Sequence, residues 1–455
     1  MSKKVDIKLI ALTITLLMCV VVPIVFWPDG TSKIINDFFH MMTTDFAWAF
    51  LLIGFGCTIF VIFIIISKYG NIRLGGEDAK PHYKGFTWIS MIITSALAAG
   101  ILIFGIVEWM FYVESTPFGI EPRSVEAYEM ASAYGMFHWG FSASAFYLPA
   151  SLAIGYMLWN RKGKSMKISE ACSEVLGKEK TKNSLFKLII DGVVTFCFVG
   201  GLLITVGLGT SVIGELIGDL FNVDNTLTLR ITIIFAFCAF FIAATSKSIA
   251  KGMAKISNFN IYLALAFFLF VFIVGPKSFI LNNVVMAVGT NITNFVKMSF
   301  YTDAVAQTGF IQNWTIFYWA WYLSLSISIG LWVARISYGR TFRQIAIIVF
   351  IVLVFFNLAT SATSVSTMVA MITSKNLQVN EEPNKWFKVL WGCIFMVLPV
   401  TILYLENAVE ELNILGIMQS MTSLFGVPLF FVNVFLIWSA VKAIRSDYKN
   451  NKLKI

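Results

Sequence analysis

Eleven stretches of this sequence stay apolar for about 20 residues, and no other feature limits its fold as much. They run near 7–27, 46–67, 86–113, 131–159, 187–217, 228–246, 258–280, 312–334, 344–374, 386–405 and 416–441. About 20 apolar residues is the length a helix needs to cross a ~30 Å hydrocarbon core. In that core every backbone polar group must be satisfied from within the segment, which a helix achieves alone. Composition agrees: of 455 residues, 58% are hydrophobic and 13% charged, and mean hydropathy is +0.79. A soluble globular domain carries far more charge. The expected class is therefore an all-α polytopic membrane protein, with the first run as the first span and no cleavable signal peptide.

The net charge of +9 does not point to nucleic acid, because the basic residues lie in short loops between the runs. Lys68, Arg73, Lys80 and Lys84 fill one loop, and the segment 160–187 carries eight Lys and Arg. Loops rich in Lys and Arg stay cytoplasmic, which places the N-terminus, with Lys3 and Lys4, in the cytoplasm. The alternating loops, such as 114–130, are acidic and external. The alternation fails at 344–374, whose two flanks both read as basic, cytoplasmic loops. Two full crossings need about 40 residues, more than the stretch provides. A re-entrant hairpin, a single crossing that inverts every later span, and a lost neighbouring helix all remain open.

Chemistry-bearing residues are sparse in the runs. Cys19, Cys57, Cys172, Cys197, Cys238 and Cys393 form no CxxC pair, and His40, His82 and His138 are too far apart for a local metal motif. No cofactor or metal is expected. Intramembrane ionisable residues are the usual functional signal in a transporter. Here they are Glu108, Asp191, Glu215 and His138, with Glu108 and Glu215 reading as interfacial carboxylates. Aromatic rings are dense instead, in "FGIVEWMFY", "YGMFHWGF" and "NWTIFYWAWYLS". Ring faces attract a cation by up to ~2 kcal/mol in a dry site, and a quaternary ammonium has no N–H to donate, so rings suit it. The competing reading is an aromatic belt at the membrane surface, with Trp314 its foremost candidate and Trp139 and Trp321 lying deeper.

"KYGNIRLGG", "WISMIITSALAAGILIFGIVEWMFY", "YGMFHWGFSASAFY", "KGMAKISNFN", "NWTIFYWAWYLS" and "ARISYGRT" together resemble the betaine/carnitine/choline transporter family, most of all its carnitine branch. The resemblance implies an inverted-repeat transporter fold and carriage of small trimethylammonium substrates across the plasma membrane, as homotrimers in many members. It divides this chain into two N-terminal spans and a cytoplasmic loop (1–85), a first repeat (86–281), an outer interfacial helix and loop (282–311), a second repeat shortened around 344–374 (312–445) and a basic cytoplasmic tail (446–455). Family box positions fall on Trp139, Trp321 and Phe111, with Phe104, Trp109 and Trp314 as further candidate substrate-binding rings.

Departures accompany the match. A box ring is replaced by Leu325, a glycine-rich breaker by "ALAAG", and the second repeat is incomplete, as though a helix near 344–374 were missing. Thr360 and Ser361 match a hydroxyl pair that helps hold sodium in some members, so Na⁺ coupling is one expectation; small-residue packing is the other. The resemblance and its departures leave two functions: alternating-access transport of carnitine, glycine betaine or a related zwitterion, or a transport-inactive homologue that binds or assembles without flux.

Overall fold

The computed structural model describes residues 6–96, 108–163, 165–175, 184–245, 254–349, 386, 390–391, 394, 400–401, 414–450 and 452–453. Among them the secondary structure is helical, apart from one isolated bridge between Arg73 and Thr341. The N-terminal helices are α1 (Ile7–Phe26), α2 (Pro28–His40) and α3 (Ala47–Ile66). Next come α4 (Gly85–Ala96), α5 (Val125–Trp139), α6 (Phe141–Ala145) and α7 (Leu148–Gly155). They are followed by α8 (Ser184–Phe221), α9 (Leu227–Thr245), α10 (Ala254–Val274) and α11 (Lys277–Phe300). The last are α12 (Phe317–Ile336), α13 (Phe342–Ile347) and α14 (Ile414–Lys449).

Seven described helical stretches are long and apolar enough to cross a membrane, and their burial patterns sort them by place. On α1 the buried side chains are Leu9, Thr13, Leu17, Val21 and Ile24, three or four apart and so on one face; the Thr13 hydroxyl is satisfied by Leu9 O at 2.9 Å. The remaining faces of α1 and α3 are apolar and exposed, as suits lipid. Along α12 all but one residue are buried, the mark of a helix at the centre of a bundle. Its hydroxyls turn back on its own backbone: Ser324, Ser326 and Ser328 donate to the carbonyls of Trp321, Leu323 and Leu325 at 2.7–2.8 Å. α12 packs on α14, α7, α8 and α4. The approach to α14 is close, since a Cβ on Gly426 would stand 2.5 Å from Ala320 O.

Several expected boundaries move, among them the end of the last span, expected at 441 and carried by α14 to Lys449. The seventh span was expected to reach 280, with an outer helix and loop following over 282–311. Instead α10 ends at Val274 and α11 begins at Lys277, because Gly275 and Pro276 stop one helix and start the next. α11 ends at Phe300, and 301–310 is a loop. The fourth span, expected over 131–159, starts at Val125, where Ser124 accepts from Ala127 N as its cap. The third span is described over 85–96 and 108–114; "ALAAG" beyond Ala96 and Phe104 lie outside the described residues. Of 344–374, 350–374 also lies outside them.

Loops that charge assigned to one side do meet at one end of the bundle. "KYGNIRLGG" pairs with "ARISYGRT": Leu74 N donates to Arg340 O, Gly339 N to Leu74 O and Phe342 N to Ile72 O. Arg73 donates to Gly339 O at 2.7 Å, and Arg343 reaches Ile65 O and Ser67 O. The Arg340 guanidinium lies over the Trp88 ring, 4.5 Å from its centroid. Lys167 contacts Asp6 at 2.6 Å and Arg161 contacts Asp447 at 3.0 Å, so the starts and ends of the described chain share this end.

Gly339 sits in the pairing at φ +77, where a Cβ would stand 2.4 Å from the Lys80 backbone carbon. Gly135, within α5, has open space around that position. Melting of the purified protein in detergent should show a large drop for Gly339→Ala, which combines left-handed strain with a backbone clash. Gly135→Ala should be neutral or stabilising by up to about 1 kcal/mol.

Candidate functional site

The site is built where the fourth span breaks. α5 ends at Trp139 and Gly140 departs from helical geometry, with φ −94 and ψ −132. A helix end leaves carbonyls without intrahelical partners, and the His138 carbonyl accepts instead from the Tyr322 hydroxyl at 2.8 Å. Trp139 is thereby held facing α12. On the opposing side, the wide turn Ile311–Ile316 leads directly into α12, a distortion that often marks function. Trp314, Tyr318, Trp321 and Leu325 are spaced i, i+4, i+7 and i+11, which lines them up along one face.

Two tryptophans, one from each side, meet here. The rings of Trp139 and Trp321 are 5.9 Å apart at 83°, and Trp139 also stands edge-on to Tyr318 at 5.0 Å and to Tyr322 at 6.2 Å. Tyr318, Trp321 and Tyr322 lie roughly parallel to one another along α12. Indole faces set nearly at right angles are the geometry a spherical cation head prefers, with rings on more than one side.

A carboxyl group holds the rings in place. Glu108 is buried, and its Oε2 accepts from Trp139 Nε1 at 2.7 Å and from the Tyr318 hydroxyl at 2.9 Å. Its Oε1 has no hydrogen-bond partner among the described residues and lies 3.8 Å from His138 Nδ1. His138 is fixed in turn by the Tyr112 hydroxyl, 2.6 Å from Nδ1, and by Thr315, 2.9 Å from Nε2. Three helical segments, 108–114, α5 and the start of α12, are thus tied through one cluster of polar atoms.

The expected site residues separate on this frame. Trp139 and Trp321 come together. Trp314 is buried against Phe111, Tyr112 and Tyr318, which takes it out of any lipid-facing belt. Phe111, expected as the third ring, stays 44% exposed beside Trp314, and Trp109 is 47% exposed beside Tyr128. Phe104, Thr360 and Ser361 lie outside the described residues. Leu325 is buried against Gly201 of α8, filling the wall where a ring was expected. Glu215 is exposed and pairs with Asn225, whereas Asp191 is buried and accepts from Ser169.

Sequence reasoning placed Glu108 at an interface and passed over Tyr112, Tyr318 and Tyr322. Spacing carried the missing signal. In a helix over 108–114, Glu108 and Tyr112 are four apart and share a face, which leaves Trp109, Met110 and Phe111 pointing away from it.

A chain with this many helices long and apolar enough to cross a membrane is a multi-pass membrane protein. Its sequence matches the family model of the betaine/carnitine/choline family transporters over residues 8–352 and 343–449. The chain belongs to the betaine/carnitine/choline transporter family. It is 34% identical to a probable glycine betaine transporter of Desulfitobacterium hafniense over 70% of this chain and 63% of that protein. It is 31% identical to a carnitine transporter of Acinetobacter baumannii, over 74% of this chain and 61% of that one. An ectoine/hydroxyectoine transporter of Virgibacillus pantothenticus is also 31% identical, over 71% and 64% respectively. The chain thus spans less than two thirds of the length of each of these relatives. The two matched stretches meet over 343–352, the point where the charge alternation breaks.

Removing the Glu108 carboxyl leaves two buried donors without their acceptor, at about 1–3 kcal/mol each. Glu108→Ala should therefore lower the melting temperature of the purified protein and alter the near-UV circular dichroism of its tryptophans. Glu108→Gln, which keeps an oxygen in reach of both donors, should retain most of the signal.

Proposed function

We propose that this chain is a secondary transporter of a small quaternary-ammonium zwitterion, carnitine, glycine betaine or a close relative, working by alternating access. The observation that carries the reading is the pair Trp139 and Trp321, ring planes at 83° and 5.9 Å apart, at a helix break inside the bundle. Family membership supports it, as do relatives named for glycine betaine and carnitine. A trimethylammonium head between the two indoles needs no counter-charge, and each well-placed ring contributes up to about 2 kcal/mol. Interruption of a span at the substrate site is the usual build of such carriers. The same proposal includes a plasma-membrane setting with the N-terminus cytoplasmic, a homotrimer, and sodium held near Thr360 and Ser361.

A second reading is a homologue that binds substrate without moving it. The observation favouring it is that the family match comes in two stretches meeting at 343–352, in a chain covering less than two thirds of its relatives.

Counterflow of radiolabelled glycine betaine and carnitine in proteoliposomes separates the two. Transport requires saturable exchange that Trp321→Ala weakens, by about 30-fold in affinity for a loss of about 2 kcal/mol. Trp48→Ala, at an exposed site on α3, should leave it unchanged. Saturable binding with no flux would establish the second reading, and neither binding nor flux would reject both. Uptake unaffected by replacing Na⁺ with K⁺ would remove the sodium assignment.

A further inference from the structure

At the basic end of the bundle a crevice of about 260 Å³ opens between α3, α7, α13 and α14. Its walls are apolar, including Phe63, Leu152, Phe342 and Val441, and its rim carries Tyr69 and Arg445. Phe63 and Val441 are 46% and 39% exposed, so the crevice opens at the surface of the bundle rather than enclosing a core cavity.

Depth along the helices gives the crevice a polarity. Phe63 lies three residues before the end of α3 at Ile66, within its apolar run, and Lys68 lies two residues beyond it. On α14, Val441 and Arg445 are one turn apart, about 6 Å along the axis. Both walls therefore change from hydrocarbon-facing to cationic over the same short rise, the profile of a lipid from its acyl chain to its headgroup.

The cations at the rim have no carboxylate partner among the described residues. Lys68 Nζ rests over the Tyr69 and Tyr448 rings, 5.9 and 5.7 Å from their centroids, which holds it beside α14. Neither Lys68 nor Arg445 forms an ion pair among the described residues. Lys442 and Lys449 add further exposed positive charge. The neighbouring carboxylate, Asp447, is already engaged by Arg161 at 3.0 Å and Tyr156 at 2.7 Å. By contrast, Lys167 and Lys187 on the same part of the bundle are each paired with an acid.

We propose that this crevice is a binding site for one anionic phospholipid, with acyl chain against Phe63, Leu152 and Val441 and phosphate between Lys68 and Arg445. The Arg fork presents paired N–H donors to phosphate oxygens, and Lys68 supplies a second charge from the other wall. A basic pocket between spans at the cytoplasmic face is the setting in which acidic headgroups are held. A zwitterionic lipid would bring the same phosphate to the crevice, but its own ammonium would be repelled by the two cations, so a head of net negative charge is favoured.

The test uses the full chain reconstituted in phosphatidylcholine vesicles with and without phosphatidylglycerol. Native mass spectrometry after extraction should show a retained phosphatidylglycerol. Retention should fall about fivefold in Lys68→Ala or Arg445→Ala, fall further in the double variant, and stay unchanged in Lys33→Ala. As a second readout, Phe63→Trp fluorescence should be quenched more by brominated phosphatidylglycerol than by brominated phosphatidylcholine, with the preference lost when Arg445→Ala is added. Equal quenching by the two lipids, retention unaffected by the double variant, or full competition by inorganic phosphate would each overturn the proposal.

Discussion

The arrangement depends on a carboxyl group buried among aromatic rings. Inside a membrane bundle a polar group finds its partners in the protein or goes without, and Glu108 finds Trp139 Nε1 and the Tyr318 hydroxyl on a single oxygen. That requirement orients one indole from α5 and one phenol from α12 at once. His138, braced by Tyr112 and Thr315, backs the same cluster, and the break at Gly140 frees the His138 carbonyl to receive Tyr322. Trp139 is oriented by its bond to Glu108 and stands nearly at right angles to Trp321, whose place is set by its burial in α12.

The rest of the fold keeps those two segments in register. α12 is buried on all sides, so its position is set by α14, α7 and α8 together. Its C-terminal end is tied to "KYGNIRLGG" through backbone hydrogen bonds from "ARISYGRT" and through Arg73, while Arg340 reaches Tyr83 O and Arg343 reaches Ile65 O just outside that stretch. A movement of α12 against the first two spans has to pull on this pairing, which lies at the end of α12 opposite Trp314.

Much of this was legible in the sequence, for physical reasons that differ by element. The spans were legible because a hydrocarbon core demands long apolar runs, and α1 and α3 lie within a residue of expectation. The break at Gly140 was not, because "HWGFSASAFY" stays apolar straight through it. Gly275 and Pro276 were visible as punctuation, yet hydropathy alone carried the seventh span past them. Trp139 and Trp321 were paired through family resemblance, since their residues are 182 positions apart and no local pattern joins them. Glu108 was read as interfacial because a carboxylate near the end of an apolar run looks so until tertiary packing covers it. Phe111 lies on the exposed side of 108–114, while the helical repeat from Glu108 carries Tyr112 to His138. Leu325, read as a missing ring, fills its wall against Gly201.

The central claim is that the two crossed indoles hold a quaternary onium head. Its most direct measurement is the anomalous signal of a trimethylarsonium analogue of betaine bound to the protein in a crystal. A single arsenic peak between the Trp139 and Trp321 rings, absent from Trp321→Ala, is the predicted result. An ordered peak elsewhere in the bundle, or one between those rings that survives Trp321→Ala undiminished, would contradict the account.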